Sequence, residues 1–155
     1  MNNKILIRKA IPSDVPAIIY LINELAEYEK LSQEVEITEL QLHNALFGNE
    51  TFTEVLIAEF ESAISGYALF FKNFSTFKGK PGIYLEDLFV KPDFRGKGIG
   101  KALFESIIKT AKEKNYGRVE WSVLKWNQPA INFYEARGAA ALDDWTIYRL
   151  TANDF

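Results

Sequence analysis

A chain of 155 residues, 48% hydrophobic and 25% charged, suits one soluble domain with a substantial core. Its net charge of −3 lacks the basic footprint of a nucleic-acid binder, and its lack of cysteine excludes disulfides, thiolate nucleophiles and Cys-based zinc sites. One histidine, His43, is too few for a His-rich metal site; with no leader after Met1 and no apolar run of roughly 18 residues, the expected setting is the cytoplasm, off the membrane.

Lys4–Arg8 reads as a first strand. Pro12-Ser13-Asp14 starts a helix, with Ser13 or Asp14 as N-cap and Val15, Ile18, Ile19, Ile22, Leu25 and Ala26 as its apolar face. Thr38 and Gln41 form a capping-box pattern for a second helix that Gly48 stops. Thr53–Phe60 and Ala63–Phe71 are β-rich runs joined by the two-residue connection Glu61-Ser62. The polar stretch Lys72–Pro81 reads as a loop leading into a strand over Gly82–Val90. A helix then runs to about Lys114, stopped by Asn115-Tyr116-Gly117, and Arg118–Leu124 reads as a strand. Pro129 opens a short helix ended by Gly138, and Thr146–Leu150 reads as a last strand. The order β-α-α-β-β-β-α-β-α-β predicts an α+β fold: a mixed, mostly antiparallel twisted sheet flanked by helices, as one domain over 1–155.

Arg95-Gly96-Lys97-Gly98-Ile99-Gly100 lies between a strand and a helix. Alternate glycines leave backbone N–H groups uncovered, and at a helix N-terminus such groups hold phosphates. Arg95 and Lys97 add positive charge there. The Walker spacing is absent, and Glu120 lies inside the next strand, not at its end as a dinucleotide fingerprint requires. The loop therefore reads as a pyrophosphate cradle with its ligand open.

Three further positions carry chemistry or structure, and residue type alone does not choose. Glu86 and Asp87 interrupt an apolar strand, as a cleft-facing pair that binds a cation or takes a proton, or as an edge pair or structural salt bridge. Tyr134 is a core aromatic beside Phe133, or a phenol able to protonate a leaving group. Asn127 stands where Asn caps helices.

Taken together, Tyr84–Gly100 and Trp126–Ala139, with Ile7–Ala10 and Leu21–Glu29, resemble the GNAT acetyltransferases over nearly the whole chain. More narrowly, the chain resembles the spermidine/spermine acetyltransferases and their thialysine branch. That resemblance implies acetyl-CoA as co-substrate, without metal, and direct transfer to a small-molecule primary amine. It implies that Gly96–Lys101, with Arg95, cradles the pyrophosphate, counting Lys97, Gly98, Ile99 and Gly100. Leu88, Phe89 and Val90 would pair with the pantetheine, and Asn127, Gln128, Pro129 and Ala130 would flank it. Tyr134 would meet the coenzyme and protonate the departing thiolate, while Glu86 would receive the amine's proton through water. Substrate contacts are implied for Tyr28, Glu29, Glu86, Asp87, Ser75, Glu120, Trp121, Ser122 and Asp143. Ser75 and Phe77 replace an acid and a tryptophan of the polyamine enzymes, and the segment after Gly138 is shorter. Both departures favour a lysine-like or diamine substrate over a polyamine. A homodimer is implied, and a non-catalytic coenzyme-binding sensor is the rival from another class.

Overall fold

The computed structural model describes residues 4–155. β1 (Ile5–Lys9) is followed by a 3-10 turn at Pro12–Asp14 and by α1 (Val15–Tyr28). Asp14 stands at the N-cap of α1 as expected, but its carboxylate does not cap the helix. Both its oxygens accept from the Arg8 guanidinium, at 2.7 and 2.9 Å, and one also accepts from the Ile11 amide. Arg8 also donates to Glu59 at 2.7 Å, tying the start of α1 to β1 and its neighbour. This charge-assisted fork is worth more than a surface pair because Asp14 is buried.

α2 (Glu39–Phe47) carries the predicted capping box, Thr38 Oγ1 accepting from the Gln41 amide, and Gly48 ends it. β2 (Glu54–Phe60) and β3 (Ala63–Ser75) form the predicted hairpin. Glu61 and Ser62 both take positive φ, 49° and 70°, as a two-residue hairpin turn that follows the strand twist demands. β3 runs four residues past its expected end, and β4 (Lys80–Val90) starts two residues early. The predicted loop Lys72–Pro81 is thus mostly strand: Lys72, Asn73 and Phe74 pair with Ile83, Gly82 and Pro81. Its polar residues read as loop because one side of this arm faces solvent, with Lys72 and Phe74 exposed.

α3 (Ile99–Glu113) and β5 (Val119–Glu120) complete a sheet of order β1-β2-β3-β4-β5. The first four strands are antiparallel and β5 is parallel to β4. Cross-strand partners share a face. Val55, Ile57, Tyr67 and Phe89 therefore line one face, and they cluster with Val15, Ile18 and Leu21 of α1 and Leu42 of α2. Ala68, Phe70, Ile83 and Leu85 line the other, where α3 buries Ile99, Leu103, Phe104, Ile107 and Ala111.

Two corrections concern the end of the sheet. The strand expected over Arg118–Leu124 is only two residues long, pairing Ile83 with Val119 and Tyr84 with Glu120. A β-bulge explains the stop. Leu69 pairs with Asp87 and its neighbour Phe70 with Leu85, so Glu86 is the extra residue on β4. Bulges bend a strand and sharpen its twist, which takes β4 out of register with β5 just past Tyr84. Thr146–Leu150, expected as a strand, takes no regular structure. Its β-branched and aromatic residues have no ladder partner among the described residues, and Ile147, Tyr148 and Leu150 are exposed.

The chain divides into two compact units, one ending at Ser122 and one running from Val123 to Phe155. The second holds α4 (Gln128–Glu135), whose N-cap Asn127 accepts from the Ala130 amide at 3.3 Å. Pro129 stands in its first turn, and Gly138 takes φ 83° after its end, as predicted. No helix of the described residues is long and apolar enough to cross a membrane.

Candidate active site

In the first unit the site is built where β4 bends. Past Tyr84, the β4 edge that faced β5 has no strand partner among the described residues, so Leu88, Phe89 and Val90 present backbone groups along an open edge. An extended ligand with amide groups can extend a sheet at such an edge.

The loop after β4 turns into α3 through Gly96 and Gly98, whose φ angles are 75° and 84°. Both lie in the left-handed region that glycine alone adopts freely. A Cβ at Gly96 would meet nothing within 4 Å, so the loop is open on that side. Gly98 is the N-cap of α3 and has no side chain to satisfy the first amides. The N–H groups of Ile99, Gly100 and Lys101 fall in the first turn, where the helix supplies no acceptor and the dipole favours an anion. Open glycines, orphan amides and two cations suit a pyrophosphate chemically. Gly98→Ala should cost about 1–2 kcal/mol for the left-handed backbone. It is expected to lower Tm by several degrees, read from a thermal melt.

The two cations of the loop have aromatic neighbours. The Arg95 guanidinium lies 4.9 Å from the centre of the Tyr28 ring and 5.6 Å from that of Phe89, while its Nε donates to the Val90 carbonyl at 3.0 Å. The Lys97 ammonium sits over Phe60 and Phe94, at 5.0 and 5.1 Å, and donates to the Asp93 carbonyl. Arg95, read as a phosphate ligand, therefore touches Tyr28, read as a substrate contact.

The bulge sorts the paired acids. Glu86, the extra residue, is exposed, whereas Asp87 is partly buried on the α1 side of the sheet. Asp87 Oδ2 accepts from the phenol of Tyr67 at 3.0 Å. Burial pushes the Asp87 carboxyl up to about 6, aided by the charges of Glu86 and Glu29 and opposed by the Tyr67 hydrogen bond. Glu29 follows the end of α1, and burial raises its carboxyl too. A carboxylate there faces the negative end of the helix dipole, and the last turn of α1 holds no basic residue. Among the described residues, none of Glu29, Glu86 and Asp87 is in an ion pair. Glu29 and Glu86 thus raise the cost of ionising Asp87, and a cation from outside would relieve it.

Other expected contacts lie apart or are committed elsewhere. Ser75 is buried at the tip of the β3–β4 arm, where its hydroxyl accepts from the Lys78 amide. It is six positions along β3 from Leu69, the partner of Asp87, or about 20 Å. Glu120 pairs with Arg118, Trp121 packs edge-on against Phe104 at 5.4 Å, and Ser122 Oγ is 2.9 Å from the Tyr84 hydroxyl. In the second unit, Tyr134 is partly buried on α4 with its ring 5.2 Å from that of Phe133. Gln128 bonds Asn132 at 2.6 Å, and Asp143 is exposed. Sequence reasoning misses Tyr67, and no local signal marks it. In Ser65-Gly66-Tyr67-Ala68-Leu69 a tyrosine reads as one more core aromatic.

Comparison with known proteins agrees with this geometry. The acetyltransferase (GNAT) family matches residues 18–139. The chain is 40% identical to the thialysine N-epsilon-acetyltransferase of Bos taurus, over 94% of this chain and 91% of that one. It is 32% identical to an L-ornithine N5-acetyltransferase of Arabidopsis thaliana, over 95% and 84%. An integron cassette protein from the mobile metagenome of V. cholerae superposes with a TM-score of 0.80 at 26% identity, covering 97% of this chain and 94% of that one. The glycine loop, the bulged β4 and the capped α4 all fall within the matched span, and the chain belongs to the GNAT acetyltransferase family.

Proposed function

We propose that the chain transfers an acetyl group from acetyl-CoA to the primary amine of a small lysine-like acceptor. The observation that carries this reading is the trio Glu29, Glu86 and Asp87, without an internal cation, beside an open β4 edge and a glycine-rich helix start. Relatives named for thialysine and ornithine support an amino acid with a side-chain amine. The whole chain works as one acetyltransferase domain.

Acetyl-CoA supplies the acetyl as a thioester, already activated for attack by an amine. The amides of Gly96–Lys101, with Arg95 and Lys97, hold the pyrophosphate by charge and orphan N–H groups. Backbone groups of Leu88–Val90 hold the extended arm, and an N–H there polarises the acetyl carbonyl. Asn127 caps the start of α4, and Gln128, Pro129 and Ala130 contact the coenzyme. A lysine-type amine arrives as ammonium, with a pKa about 10.4, and must lose a proton before it attacks. Glu29 and Asp87 attract the cation, with Tyr28 beside it, and exposed Glu86 takes its proton through water. Tyr134 returns a proton to the departing thiolate.

The same reading carries a homodimer in the cytoplasm, where acetyl-CoA and free amino acids are at hand. The exposed Leu142, Trp145, Ile147, Tyr148 and Leu150 of the last segment support a second copy as their cover. Of the other contacts, Glu120, Trp121 and Ser122 border the amine site and Asp143 adds charge toward the second copy. Ser75 lies about 20 Å from Leu69, the partner of Asp87, along β3 and acts only through the shape of the β3–β4 arm.

Initial rates over thialysine, lysine, ornithine, putrescine and spermidine test the substrate class. Amino acids with a side-chain amine are expected to show the highest kcat/KM. Spermidine ahead of all of them would turn the assignment to polyamines. Tight acetyl-CoA binding without turnover of any amine would favour the sensor.

A further inference from the structure

We propose that Tyr67 is a positioning residue for amine capture, its phenol holding the Asp87 carboxylate charged and aimed at the acceptor's ammonium. This rests on the reading that Asp87 meets the amine.

Tyr67 has no exposed surface and lies in an apolar cluster with Val15, Ile18, Leu21, Leu42, Ile57 and Phe89. Phenylalanine would fill that space without bringing a hydroxyl that needs a partner. The hydroxyl finds its partner in Asp87, which needs the bond in turn. Asp87 stands two residues before Phe89, the direct cross-strand partner of Tyr67, so the bond runs diagonally on one face. As structure alone the pair is a poor arrangement, since two polar groups are placed where apolar ones would pack at least as well. As a device for a ligand it is coherent. Burial and the Asp87 charge hold the phenol well above its ordinary range, so it stays a donor at every working pH. Donating to Asp87, the phenol favours its charged form.

The groups around Asp87 come from each packed element. β3 gives Tyr67, β4 gives Glu86 and the residue after α1 gives Glu29, while α2 brings the apolar Leu42, Leu46 and Phe47 to the cluster around Tyr67. Arg95, a cation of the following loop, stands over the rings of Tyr28 and Phe89 and, among the described residues, forms no ion pair with the three acids. Glu29 and Glu86 both oppose ionisation of Asp87, and among the described residues Tyr67 is the neighbour that favours it. Against burial and the two acids, the phenol therefore lowers the pH at which Asp87 becomes able to bind an ammonium.

The experiment uses the full chain and its Tyr67→Phe variant, with acetyl-CoA and thialysine, over pH 5 to 9. A hydrogen bond to a charged acceptor is among the strong ones. Its loss is expected to move the acidic limb of kcat/KM for the amine up by about one pH unit, with KM for the amine rising about tenfold near neutrality. KM for acetyl-CoA should stay within about twofold. A change of packing alone would not move the acidic limb. Asp87→Asn, run beside it, separates the two layers of the argument. If Asp87→Asn raises the amine KM while Tyr67→Phe moves neither limb nor KM, the role of Tyr67 is overturned. If Asp87→Asn also leaves the amine KM unchanged, the reading of Asp87 as the ammonium contact falls with it.

Discussion

Replacing Tyr134 with phenylalanine should lower kcat about 10²-fold or more, the usual scale for losing a general acid. A thiolate of pKa near 8.5 leaves the tetrahedral adduct most easily when a proton meets it. Neither cysteine nor a second histidine exists in the chain to supply that proton. Phenylalanine keeps the ring against Phe133, and the Ala130 amide still donates to Asn127 at the start of α4, so the helix should stand. The loss is expected in kcat and kcat/KM alike, with KM for either substrate little changed, because the proton matters only as the thiolate departs. Pre-steady-state rates decide whether chemistry is the step being read. A near-normal chemical rate in this variant would remove Tyr134 from the reaction.

Asp87→Asn should move activity and stability in opposite directions. Its carboxyl titrates near 6 in the folded chain, against about 3.8 when unfolded. Between those values the native state holds a proton that the unfolded state has released, so stability is present at low pH and is lost as pH rises through 6. The full shift corresponds to about 3 kcal/mol at most, lost above pH 7. Asparagine does not ionise, and its carbonyl still accepts from Tyr67. The variant should therefore melt several degrees above the parent at pH 7.5, with no gain at pH 4. Its kcat/KM for a lysine-like amine should fall about 10- to 100-fold, from the loss of a charged contact. Calorimetry at the two pH values and initial rates check both halves. A variant no more stable than the parent at pH 7.5, with kcat/KM within twofold, would mean that Asp87 carries no such burden for binding.

Features set by a few neighbouring residues are legible in the sequence. Thr38 and Gln41 announce a capping box, Glu61-Ser62 a tight hairpin, and the alternate glycines of Arg95–Gly100 uncovered amides at the start of α3. Asn127 as a cap is of the same kind. What escapes depends on partners distant in sequence. Whether Glu86 or Asp87 turns inward is decided by the bulge against Leu69 and Phe70, and no pattern within β4 encodes that register. Arg118–Leu124 has strand composition, yet the ladder stops at Glu120 because its partner bends away. Asp14 stands at the expected position but makes different bonds, since Arg8 and the Ile11 amide use its oxygens. Thr146–Leu150 has the residues of a strand and no ladder to join. Glu86 and Asp87 are visible as a sequence pattern, but the Tyr67 phenol that bonds Asp87 is not.

The account stands most directly on one measurement, the fate of the acetyl group when the protein, acetyl-CoA and thialysine are mixed. It predicts coenzyme A thiol released in equal amount with thialysine acetylated at its side-chain nitrogen, identified by mass spectrometry. Thiol release without an acetylated amine, or no release at saturating concentrations of both, would contradict it.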